Sequence, residues 1–93
     1  MANIKSAQKR IMISKRNRLQ NQFYKSSVRT LIKTFSKDLL LYKSSQDLND
    51  KMKAQNRLNL IYKFLDKGTK RNVFHKNTAA RKKAQLAGYL KSA

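Results

Sequence analysis

Between Tyr24 and Tyr42 the apolar side chains fall at Tyr24, Val28, Leu31, Phe35, Leu39 and Tyr42. The spacings are 4, 3, 4, 4 and 3 residues, which trace one face of a helix and no face of a strand. Ile32 widens that stripe. Lys25, Arg29, Lys33 and Lys37 recur every fourth residue on the opposite side. One half of the segment therefore has a face for a core and a separate face for a polyanion. The composition favours long helices: proline is absent and glycine occurs twice in 93 residues. The pattern predicts a single helix over about residues 4–43.

The first half of that helix reads differently. Lys5, Lys9, Arg10, Lys15, Arg16 and Arg18 point nearly all round the wheel, and Ile4, Ala7, Ile11, Met12 and Ile13 do not continue the later stripe. A helix charged on every side has no face to lay on a protein core, so it projects. About 40 residues of helix span about 60 Å, longer than so short a chain needs for a globule.

Two further helices follow. The second is expected to start after Ser44 or Ser45 as N-cap, with Asp47 and Asp50 in its first turn, where carboxylates favour the positive end of the helix dipole. Its expected core face is Leu48, Met52, Leu58, Tyr62 and Leu65, with Ile61 beside them and Gln55 as an interruption. It ends within 66–72, at Gly68 or Asn72, both suited to a left-handed C-terminal residue. The third is expected over about 73–91, with Ala80, Ala84, Leu86, Ala87 and Leu90 on its packed side. Lys76, Arg81, Lys82 and Lys83 surround its first turns, so that start is not expected to pack wholly on protein. The architecture is all-α: a three-helix bundle with a long protruding basic N-terminal helix. Residues 1–93 form one domain, divided into an extended arm, 1–22, and a bundle, 23–93.

Charge narrows the function. There are 23 Lys and Arg against four Asp, with no Glu, for a net charge of +19. Residues 1–37 hold ten basic groups and no acid; residues 38–66 hold five basic groups and every Asp; residues 67–93 hold eight basic groups and no acid. A nearly neutral middle is flanked by two polycationic segments, a sorting that solubility alone does not require. Like charges at this density destabilise a compact free state, and a polyanion relieves them. Nucleic acid is the first candidate. A helix basic on all sides suits a crevice between several backbones of folded RNA better than one DNA major groove. A DNA-compacting basic protein and an amphipathic membrane-surface protein are the alternatives.

Catalytic and metal classes find no support. There is one His and no Cys, hence no disulfide, thiolate nucleophile or Cys-based zinc site. His75 has neither a nearby carboxylate to orient it nor a second ligand at metal spacing. It reads as a helix-start residue that packs or donates a hydrogen bond to a phosphate or sugar. Asn77 and Thr78 add short polar groups suited to backbone or 2′-hydroxyl contacts. Phe74 either staples the start of the helix or stacks on a base, and packing is favoured. No cofactor, no metal, no small-molecule substrate and no homo-oligomer are expected. No apolar run approaches the roughly 18 residues of a membrane span. The N-terminus lacks the apolar region and cleavage site of a secretory signal. It is basic and acid-free, as transit peptides are, but the Lys and Arg continue evenly into the body.

Three stretches then carry a likeness. "MANIKSAQKRI" at the N-terminus, "YKSSVRTLIKTF" at 24–35 and "HKNTAARKKAQL" at 75–86 resemble the bacterial-type small-subunit ribosomal protein number twenty, in the right order and separation. The third, with His75-Lys76-Asn77 followed by Ala79-Ala80-Arg81, is the most specific. The resemblance implies a three-helix bundle with a protruding first helix. It also implies direct, early binding to small-subunit ribosomal RNA, chiefly its 5′ domain and the long helix near the 3′ end. Gln8 stands where the family usually has Lys, and Asn72 where it usually has Gly. The missing Glu and the abundance of Lys and Asn look like an AT-rich genome, so the expected place is a plastid ribosome, with the bacterial cytoplasm as alternative. The residues expected on RNA are Lys5, Lys9, Arg10, Lys15, Arg16 and Arg18 in the arm and Lys25, Arg29, Lys33 and Lys37 on the outer stripe. At the start of the third helix they are His75, Lys76, Asn77, Thr78, Arg81, Lys82 and Lys83.

Overall fold

The Tyr24–Tyr42 stripe does what its period requires. In the computed structural model Tyr24, Val28, Phe35 and Leu39 are buried, while Leu31, Ile32 and Tyr42 are half-buried. The structure describes the backbone of residues 2–93 and the side chains of residues 4–93; the beginning of the arm and of the first matching stretch lies outside the described residues. Among the described residues there are three helices and no strand: α1, Ala2–Ser45; α2, Leu48–Lys70; and α3, Lys76–Ser92. At about 1.5 Å per residue, the 44 residues of α1 account for the whole long dimension of the molecule, 67 Å against 21 and 13 Å.

The helices meet around α2, which packs on both α1 and α3, whereas those two scarcely touch. Phe35 of α1 with Ile61 and Leu65 of α2 form the fully buried centre, closed from α3 by Ala79, Leu86 and Leu90. All of this lies beside the second half of α1; residues 4–19 are exposed without exception.

The α1–α2 turn corrects the expected cap. Ser45 still belongs to α1, and Gln46 turns the chain at φ 54°, its N–H bonding the Tyr42 carbonyl at 2.8 Å. The first extended residue is therefore Asp47 (φ −80°, ψ 134°), and it, not Ser44 or Ser45, is the N-cap. Its carboxylate accepts the Asn49 N–H at 3.0 Å. Ser44 instead donates back to the Leu41 carbonyl. Ser45 supports the turn, accepting the Asp47 N–H at 3.2 Å and donating to Asp50.

The core face of α2 is also shifted from the expected one. Leu48 and Met52 are 73% and 62% exposed, and the buried row is Ala54, Leu58, Ile61, Leu65 and Gly68. Ile61 is its centre and Tyr62 is half-buried at its edge. At the far end Asn72 is the left-handed residue, at φ 62°. The Val73 N–H reaches the Gly68 carbonyl at 2.8 Å and the Asn72 N–H reaches that of Thr69 at 3.1 Å, the paired bonds of a Schellman motif. Gly68 stays helical and buried beneath the ring of Phe74.

In α3 the packed alanine is Ala79; Ala80 and Ala84 are exposed and Ala87 is half-buried. The row is Ala79, Lys83, Leu86 and Leu90, with a lysine inside it. That lysine is accommodated because Asp66 of α2 pairs with its ammonium group, which lies 5.7 Å from the Tyr62 ring centroid. The Tyr62 hydroxyl donates to the Lys83 carbonyl at 3.2 Å.

Candidate nucleic-acid interface

The four carboxylates decide the electrostatics of the surface, because each is engaged within the protein. Asp38 of α1 pairs with Arg57 of α2 at 3.3 Å in a part-buried contact. Asp66 pairs with Lys83, Asp47 caps α2, and Asp50 accepts from Ser45. Among the described residues no other cation is ion-paired with a carboxylate, and most of these cations stand on the helices, open to an outside partner.

Lys25, Arg29, Lys33 and Lys37 are all exposed, but the first three border the edge of the core at Val28 and Ile32 rather than lying wholly opposite it. The fold brings the first three to one groove with Lys82 of α3. Its volume is about 410 Å³, and Val28, Ile32 and Phe74 form its apolar floor. Residues about fifty or more positions apart in the chain thus present four cations to a single channel. Lys37 lies one turn farther along α1, outside the groove. On the arm, Arg10, Lys15 and Arg18 flank one shallow recess, and Lys5, Lys9 and Arg16 are exposed elsewhere around the same helix. The arm thus presents cations in several directions.

The start of α3 answers what its histidine does. His75 is the N-cap (φ −70°, ψ 140°), and its Nδ1 accepts the Asn77 N–H at 3.2 Å. Its ring nitrogen satisfies a donor that the helix would otherwise leave unpaired. Asn77, Thr78 and Arg81 are exposed around it. Lys76 faces a second groove, of about 560 Å³, between α2 and α3, together with Lys67, Lys70 and Lys83. Lys83, expected on RNA, is half-buried and shares its charge with Asp66. Lys67 and Lys70 were not among the expected residues. Their signal was the cation density of "DKGTKRN", which reads first as a helix terminus.

Among the described residues no group of three His, Cys, Asp or Glu could hold a metal, and no helix is long and apolar enough to cross a membrane. Chain comparison supplies the decisive observation: the family model of ribosomal protein S20 matches residues 2–91. The chain belongs to the ribosomal protein S20 family. Members of this family are structural components of the ribosome and not enzymes. Small ribosomal subunit protein bS20c of Trieres chinensis is 67% identical over 93 residues, covering both chains entirely. The bS20c of Phaeodactylum tricornutum is 65% identical over 91 residues, 98% of each chain. Small ribosomal subunit protein bS20 of Acaryochloris marina is 50% identical over 93 residues, all of this chain and 99% of that one. These relatives fit a ribosomal location, plastid or bacterial. Asn72 holds the left-handed conformation at φ 62°, which Asn adopts more readily than most non-glycine residues.

Proposed function

We propose that this S20-family chain binds small-subunit ribosomal RNA directly, as a structural constituent of the small subunit, and helps that RNA to assemble. The observation that carries the reading is the groove where Lys25, Arg29 and Lys33 of α1 meet Lys82 of α3. Four cations on two helices, with no carboxylate among the groove's lining residues, match the spaced negative charges of a nucleic-acid backbone. The arm extends the same chemistry outward, its cations pointing in several directions, as a crevice between RNA backbones requires. Neutralising phosphates where RNA segments converge relieves the self-repulsion of the RNA and of the protein together. Names of the two most similar relatives given above, and the Glu-free, Lys- and Asn-rich composition, favour a plastid ribosome.

Footprinting of small-subunit ribosomal RNA with and without the protein tests this. Discrete protections at matched salt are the expected result. Equal affinity for duplex DNA and for the folded ribosomal RNA would overturn it in favour of DNA compaction. Partition onto anionic vesicles that survives competition by that RNA would overturn it in favour of a membrane surface.

A further inference from the structure

Phe23 is 58% exposed although two rings hold it. Tyr24 meets it edge-on, with centroids 5.5 Å apart and planes at 80°, and Phe64 of α2 lies 6.2 Å away. Tyr24 and Phe64 are themselves 6.2 Å apart, closing a triangle of aromatic rings. The Arg71 guanidinium stands 5.8 Å from the Tyr24 centroid.

A single exposed apolar residue is ordinary, but Phe23 differs from the others here. Leu40, Leu41, Leu48 and Met52 are flexible chains in the nearly neutral middle segment. Tyr89, the other aromatic that is half exposed, has its hydroxyl bonded by the Gln85 amide at 3.0 Å. Phe23 lies where the fully exposed part of α1 joins the bundle. Arg16, seven residues back, is on the same side of α1 about 10 Å away. Arg71 stands over the neighbouring ring. An exposed aromatic ring, held by two neighbouring rings and set near cations, is the kind of arrangement on which an unpaired nucleobase stacks while its backbone follows the charges. The aromatic triangle limits the ring's freedom before any ligand arrives, so little ordering cost remains for binding.

We propose that Phe23 is a stacking platform for an unpaired base of the RNA that the cationic surfaces hold. This rests on the RNA-binding reading above and adds a contact of a different kind: a ring face that the lysines and arginines cannot supply. It takes a base of any identity, since every base offers a π-face.

Full-length Phe23→Ala, Phe23→Leu and Phe23→Trp proteins, with folding checked by circular dichroism, are titrated with small-subunit ribosomal RNA across a salt series. Phe23→Ala is expected to lower affinity roughly five- to hundred-fold with an unchanged salt slope, because no phosphate contact is lost. Phe23→Leu keeps apolar bulk without a π-face and is expected to lose nearly as much. Phe23→Trp is expected to retain affinity. It introduces the chain's only tryptophan, whose fluorescence should be quenched on RNA binding. Full affinity in Phe23→Leu, or unquenched fluorescence in a bound complex, overturns the stacking contact while RNA binding stands. Normal binding of Phe23→Ala to naked RNA, with loss only in particles containing other small-subunit proteins, overturns it in favour of a protein contact. Failure of the native protein to bind the RNA overturns both readings.

Discussion

The ring of Phe74 occupies the space that a Cβ on Gly68 would need. Val73 and Phe74 can fold back over the end of α2 because residue 68 is bare there, and the same Phe74 ring then lines the four-cation groove. Gly68→Ala gains up to about 1 kcal/mol in helix propensity, but overpacking costs about 1–3 kcal/mol. Net destabilisation is the expected outcome, read as a lower midpoint in thermal unfolding. A variant as stable as the native protein would show that the Phe74 ring moves aside freely.

Asn72 is the second position where the backbone selects its residue, at φ 62°. Asn72→Ala puts a Cβ into the left-handed region without the local hydrogen bonding of Asn and should cost about 1 kcal/mol. Asn72→Gly should match or exceed native stability. Thermal or denaturant unfolding of the two variants side by side checks the order.

His75 contributes through a lone pair on Nδ1. Its replacement by Ala should cost about 0.5–2 kcal/mol, and by Asn close to nothing, because Asn is also a good N-cap. Urea midpoints measure the difference. RNA affinity equal in His75→Asn and native protein would assign the histidine to the helix alone.

The two faces of α1 should separate cleanly under mutation. Lys25→Ala or Lys33→Ala should weaken RNA binding and flatten the salt slope by about one unit each, with little change in melting temperature. Phe35→Ala empties a site that is 1% exposed and should cost about 3–5 kcal/mol. Lysine variants that melt earlier yet bind RNA normally would mean that the faces are reversed.

The core face of α1 was legible in the sequence because it is written in large residues at regular spacing. The neighbouring helices were harder to phase for a physical reason. In α2 the buried row includes Ala54 and Gly68, which carry little hydrophobic signal yet permit close approach. Leu48 and Met52, with a stronger signal, face outward before the packing begins. In α3 several alanines compete on equal terms, and the true row runs through Lys83, a charge that only its tertiary partners Asp66 and Tyr62 make tolerable there. Cation density marked the arm, outer stripe and α3 start. The meeting of Lys82 with Lys25, Arg29 and Lys33, and of Lys76 with Lys67 and Lys70, depends on how the helices cross, which no local pattern encodes.

Because α1 runs from Ala2 to Ser45 without Gly or Pro, it works as a gauge with no joint in it. Lys5 at one end and Lys37 at the other are separated by a fixed axial distance of about 48 Å. Their directions around the axis are tied to that same count of residues. One residue inserted between them would lengthen the gauge by only about 1.5 Å but would swing one set of cations by about 100° relative to the other. Within this helix, substitutions change the strength of individual contacts, whereas a change in length would misalign every contact beyond it.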